Sequence, residues 1–346
     1  MDKYKEYYNF GYHKLGEILY GFCYFIFEET IKSKAENIFF SSRDGLNFLP
    51  LLKLIYNHNK IDFSNLKPIL LSRKMLLNFL DGEKNNIDKY LRKNFNKKNN
   101  IIVDIGYKGT SHKYLKQILN QINIDINFQS LLFVKHTCDI SSPEVIGYFS
   151  EDMDSFSTRI LKRNAGGLEL ILGDYNNGSI SGFTENLLPI FLGGKITGEQ
   201  AMKHKIMFDG VIGYFEHALE NNINLEPRKE LLNKSYEIFC LPSEKIVNLF
   251  KDFIFADEGN RGKKGEEFQL KIFNNNHIGT ITNNKGKVDN FDIWYRNPWI
   301  GGKMTFDNIA LPERKLYHKK IFKEEITIVG GINGESDLDK VYHICK

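Results

Sequence analysis

Between residues 37 and 150, short apolar runs alternate with segments of helical periodicity, and this alternation constrains the fold more than any other feature of the chain. The apolar runs are "NIFFS" (37–41), "PILLS" (68–72), "NIIVDI" (100–105), "FQSLLFVKH" (128–136) and "EVIGYFS" (144–150). The helical patterns are "LNFLPLLKLIY" (46–56), with Pro50 in its first turn, "NNIDKYLRKNF" (85–95) and "SHKYLKQILNQI" (111–122). Near-continuous apolar strands are those covered on both faces. Strands separated by helices build a parallel α/β sheet. "NIIVDI" is the strongest strand signal, and "GYKGT" after it reads as a loop.

The pattern changes further on. Residues 7–33 read as one helix ahead of the first strand, and "GGLELILGD" (166–174) as a short one. Longer helices are expected over 198–222 and 242–255, and from about 265 the chain is rich in Asn and Gly with hairpin-like turns. The division drawn from this is an α/β core over 1–190 and a helical, partly β part over 191–346, which is open to a role in acceptor binding.

With 346 residues, 42% of them apolar, a sizeable core is available. The net charge of +4 is too small for a dedicated nucleic-acid binder and suits anionic substrates or an anionic lipid surface. The four cysteines lie far apart with no zinc spacing, as expected of buried thiols in a reducing cytoplasm. "LGEILYGFCYFIFEETI" is interrupted by Glu17, Glu28 and Glu29 and falls short of a membrane span. The polar, aromatic start carries no secretory pattern, so a cytoplasmic protein is expected, with contact at the inner membrane face as an option.

The chemistry concentrates in "IIVDIGYKGTSHKYL": a strand, an acid at its end, a glycine-bearing loop, hydroxyls and a helix. A helix N-terminus offers unpaired N–H groups and the positive end of the dipole. Gly106 and Gly109 permit close approach and positive φ, and Thr110 and Ser111 can cap the helix or donate to phosphate. Asp104 stands where α/β sheets bind ligands and suits ribose hydroxyls or a metal touching them. An ordinary capped turn is the alternative. A methyltransferase-like loop is disfavoured by Tyr107 and Lys108, where small residues are needed. The other sharp reading is that the segment resembles the loop of type I phosphoribosyltransferases, which cradles the 5-phosphate of PRPP (phosphoribosyl pyrophosphate).

"FFSSRDG" invites comparison with the DxDGT motif of HAD phosphatases. Aligning Asp44-Gly45 with its second half puts Ser42 at the nucleophile, and serine cannot form the aspartyl-phosphate intermediate.

Four segments together, "IFFSSRDGLNFLPLL", "LLSRKML", "IIVDIGYKGTSHKYL" and "GGLELILGDYNNGSISGF", resemble a bacterial domain that follows a HAD-type phosphatase in capsule and O-antigen gene clusters. That domain is similar to the PRPP-dependent ribofuranosyltransferases of polysaccharide assembly, and the resemblance covers roughly residues 10–185. It implies a phosphoribosyltransferase-like parallel sheet flanked by helices. It also implies transfer of ribose 5-phosphate from PRPP, with Mg²⁺, to a glycan acceptor, a lipid-linked one being an option. Pyrophosphate is released, and a separate phosphatase later removes the phosphate. Ordinary members carry two adjacent acids at the strand end, whereas here Asp104 is followed by Ile105.

On this resemblance Arg43, Arg73 and Lys74 would grip the pyrophosphate. Asp104, Gly106, Tyr107, Lys108, Gly109, Thr110 and Ser111 would hold the ribose 5-phosphate, with Tyr107 also open to stacking on the acceptor. Asp44 would hold Mg²⁺ together with Asp104, or accept the acceptor's proton; Glu169, a charge set in an apolar segment, is the rival base. His112 is placed on an exposed helix face, with phosphate contact as the alternative. "FDIWYRNPWIGGKM" (291–304) groups both tryptophans, either as packing or as a sugar platform, and "PERKLYHKKIFK" (312–323) is a solvated basic helix face or a contact for anionic lipid. The competing functions are a HAD-lineage phosphatase with a degenerate motif and a non-catalytic assembly scaffold.

Overall fold

All five residues of strand β1 (Asn37–Ser41) are buried, as a central strand covered on both faces requires. In the computed structural model, which describes residues 3–42, 45–83, 85–107, 109–136, 142–173, 179–192, 198–257, 268–271 and 299–330, β1 lies within a five-stranded sheet. Its partners are β2 (Leu66–Ile69), β3 (Asn99–Tyr107), β4 (Asn127–Lys135) and β5 (Val145–Ser150), in the order β2-β1-β3-β4-β5 with every pairing parallel. Phe39, Ile102, Ser130 and Val145 form one row across four strands. The edge strand β2 is shorter than "PILLS" suggests; its Pro68 sits where a missing N–H does least harm, and the chain beyond it turns into a helix cap.

Successive side chains of these strands feed opposite faces. Ile38, Phe40, Ile101 and Val103 join one apolar cluster, and Phe39 and Ile102 the other. The second face is covered by α4 (Arg73–Leu80), α5 (Ile87–Asn94) and α6 (Thr110–Gln121), with Ile180 and Phe183 of the β6–β7 hairpin (Ser179–Phe183, Pro189–Leu192). The first face carries α2 (Gly16–Ser33) and α3 (Phe48–His58). The expected helix over 7–33 is α1 (Lys3–Phe10), a π turn at Gly11–Leu15, and α2. Helices that the sequence pattern did not announce, α7 (Ser155–Arg163) and α10 (Arg228–Phe239) among them, also join this face. So do α8 (Ala165–Leu172), α9 (Glu199–Glu220), α11 (Glu244–Phe250) and α12 (Ile300–Phe306). A further pair, β8 (Ile254–Asp257) and β9 (Phe268–Lys271), and a last helix, α13 (Leu311–Gly330), complete the described elements. The first cluster runs without a break from Phe22 and Phe133 to Phe215, Phe239 and Trp299.

Cys23 and Cys240 are buried free thiols whose pKa values burial pushes well up; Cys138 and Cys345 lie outside the described residues. Among the described residues no helix is long and apolar enough to cross a membrane.

One buried histidine makes the fold acid-sensitive. His318 on α13 is fully buried, with Nδ1 at 2.9 Å from the Tyr236 hydroxyl, and burial, aided by Arg314, pushes its pKa down to about 3. The unfolded chain, with an ordinary imidazole, binds the proton between about pH 6.5 and 3 while the folded chain does not. Stability is therefore lost as pH falls through that window, by up to a few kcal/mol. His318→Gln should flatten this loss, read as a smaller pH dependence of urea unfolding between pH 7 and 4; an unchanged slope would assign the acid sensitivity elsewhere.

Candidate functional site

β1 hands the chain to α3 on one face of the sheet, and β3 hands it to α6 on the other. The two carboxyl ends thus part at a switch point, the place where parallel sheets open a crevice for ligands. A cleft of about 330 Å³ lies there. Its walls include Ser41 and Ser42 from β1, Ser72 and Arg73 at the start of α4, and Asp104, Gly106 and Tyr107 from β3. Gly109, Thr110, Ser111 and His112 follow at the start of α6, and Lys162, Ala165 and Glu169 come from α7 and α8.

β3 runs two residues further than its apolar signal, because Gly106 and Tyr107 continue the pairing with Val134 and Lys135 of β4. Gly106 has φ +94°, and a Cβ there would stand 2.6 Å from the Leu132 Cβ, so only glycine fits. Tyr107 holds φ +131°, a costly conformation for a side-chain-bearing residue, and its hydroxyl donates to the Ala165 carbonyl at 3.2 Å. Gly109, at φ +65°, is the residue that precedes α6. Thr110 and Ser111 are the first two helical residues and the N-cap position is Gly109, which has no side chain to cap with, so of the two roles open to their hydroxyls the capped-turn alternative is not the one seen among the described residues. This first turn lines the cleft, where a helix start presents N–H groups that have no partner within the helix.

His112 is not on an exposed face. It is buried, its Nδ1 lies 2.8 Å from the Ser130 Oγ and its Nε2 3.3 Å from a Glu144 carboxylate oxygen that also accepts from Lys116. Burial lowers its pKa, so the imidazole stays neutral at pH values where an ordinary histidine begins to take up a proton. Ser42 latches the ends of β1 and β2: its hydroxyl donates to the Leu71 carbonyl at 3.1 Å and accepts from the Leu71 N–H at 3.3 Å. Ser72 caps α4 by accepting from the Met75 N–H at 3.1 Å, which directs Arg73 to the cleft. Lys74, one residue on, is not among the lining residues. Arg43, Asp44 and Lys108 lie outside the described residues.

α8 bridges the crevice. Tyr107 holds its first carbonyl, and the Asn47 amide donates to the carbonyl of its last residue, Leu172, at 2.9 Å. Eight residues span about 12 Å. From Gly166 to Leu172 every residue is buried except Glu169, which one helical turn sets beside Ala165 on the cleft side. Asp104 and Glu169 are the carboxylates among the described lining residues. Among the described residues no three His, Cys, Asp or Glu side chains gather as a metal cage. Trp299 is fully buried, its indole N–H donating to the Phe239 carbonyl at 2.6 Å, so it packs and offers no sugar platform; Trp294 lies outside the described residues. Among the lining residues that sequence reasoning missed are Lys162, on an unannounced helix, Ser41, at the end of a plain strand, and Ser72 and Ser130. No protein-family model matches the chain, and no curated protein matches it.

Proposed function

We propose that the chain is a phosphoribosyl-type glycosyltransferase, transferring ribose 5-phosphate from PRPP to a hydroxyl of a bacterial surface glycan. The observation that carries this reading is the meeting, at one switch point, of an uncapped α6 N-terminus, the Asp104 carboxylate, Arg73 and Glu169. These are the parts that a phosphorylated pentose with an anionic leaving group requires. The parallel sheet with helices on both faces supports the phosphoribosyltransferase-like form of the fold.

The α6 N–H groups, with the Thr110 and Ser111 hydroxyls, receive the 5-phosphate. Asp104 accepts hydrogen bonds from the ribose hydroxyls. Arg73 faces the pyrophosphate as a planar, bidentate donor. As the bond from C1 to the pyrophosphate oxygen breaks, its electron pair leaves with the pyrophosphate, and donors fixed in advance stabilise that charge. The acceptor oxygen bonds to C1 from the opposite side, giving a β-ribofuranoside, and its proton passes to Glu169. Mg²⁺ typically binds through one or two carboxylates plus substrate phosphates, which Asp104 fits without a protein cage, and it would neutralise pyrophosphate charge.

The test is incubation with PRPP, Mg²⁺ and sugar acceptors. Pyrophosphate release and a product heavier by ribose 5-phosphate are expected. Absence of PRPP binding by calorimetry overturns the proposal.

A further inference from the structure

We infer that Lys162 supplies the cation for the phosphate end of the cleft, reaching it from α7 on the wall opposite α6. The inference rests on the phosphoribosyl reading and adds to it a residue that neither motif nor spacing pointed to.

Three observations place the side chain. The hydrogen bond from the Tyr107 hydroxyl to the Ala165 carbonyl ties the start of α8 to the end of β3, immediately before α6. Lys162 precedes Ala165 by three residues, in the last turn of α7, and lines the same cleft as Thr110 and Ser111. Arg73, the other lining cation among the described residues, comes instead from the α4 start, beyond β1 and β2.

A second feature, on the β1 side of the same cleft, points to a ligand. Ser41 is 6% exposed, and its buried Oγ has no hydrogen-bond partner. β1 and β3 pair through Phe40 and Val103, so the next residues, Ser41 and Asp104, lie side by side on the α6 face of the sheet. An unsatisfied hydroxyl is costly unless a ligand completes it. A helix start preceded by glycine and an ammonium on the facing wall suit a phosphate dianion, and the orphaned hydroxyl beside Asp104 marks the same cleft as one that a ligand completes.

Titration calorimetry with ribose 5-phosphate and, separately, PRPP tests this on the full chain. Lys162→Gln and Lys162→Met, the latter keeping the aliphatic stem, should weaken ribose 5-phosphate about 10- to 100-fold. Lys162→Arg should recover most of that affinity. Lys113→Gln, on the exposed side of α6 and outside the cleft, removes the same charge and should bind as wild type. Thermal unfolding should be unchanged throughout. If wild type binds both ligands and the Lys162 variants bind ribose 5-phosphate within twofold of it, the assignment of Lys162 is overturned and the phosphoribosyl reading stands. If wild type binds neither, the reading falls and the assignment falls with it. If only one of the two variants folds, that one decides.

Discussion

A Glu169→Gln protein is expected to turn over roughly 10²- to 10⁴-fold more slowly than wild type while binding PRPP equally well. The acceptor hydroxyl must lose its proton as it bonds to C1, and a carboxylate is the group that takes it. Glu169 stands on a helix tied at both ends, to β3 through Tyr107 and to the start of α3 through Asn47, so its position is set before substrate arrives. Glutamine keeps size and polarity but cannot accept the proton. The loss should therefore fall on kcat and leave KM for PRPP within a factor of about two. A kcat within threefold of wild type would move the base role to Asp44, the other acid with a claim to it.

The parts of the cleft written within a dozen residues were the legible ones. The buried run of β3, the acid at its end and two glycines announced a strand-to-helix anion loop, and Asp104, Gly106, Gly109, Thr110 and Ser111 do line one cleft. The strand end was misjudged because the pairing of Gly106 and Tyr107 with β4 overrides local loop character. Arg73 and Lys74 looked equivalent in sequence, but neighbours on a helix point about 100° apart, and only Arg73 lines the cleft. His112 was misread because its partners, Ser130 and Glu144, arrive from β4 and the approach to β5. Lys162 was invisible for the same reason: what brings it to the cleft is a contact between Tyr107 and Ala165, 58 residues apart. Such long-range ties leave no periodicity behind.

Trp299→Ala should be the most destabilising single change in the described C-terminal part, at about 3–5 kcal/mol. The indole is fully buried, and it occupies the space left open by a glycine on α8: a Cβ on Gly167 would stand 2.5 Å from the Trp299 Cγ. Two residues on, the Gly301 N–H donates to the Asn164 side-chain oxygen at 2.7 Å, at the junction of α7 and α8. The residues after 298 thus brace the helix that carries Glu169 and the turn after Lys162. On the proposed function, removing the indole should lower turnover more than a distant core truncation of equal cost, because the loss of order falls on the wall that carries Glu169. The unfolding curve also bears on the division at residue 190. The apolar cluster joining Phe133 of the sheet to Phe215, Phe239 and Trp299 predicts a single transition, moved as a whole to lower denaturant by the substitution. Two resolved transitions, with only one of them shifted, would show that the C-terminal part folds on its own and that its packing on α8 is an interface between domains. A loss below about 1 kcal/mol would mean that α8 holds its place without the bracing.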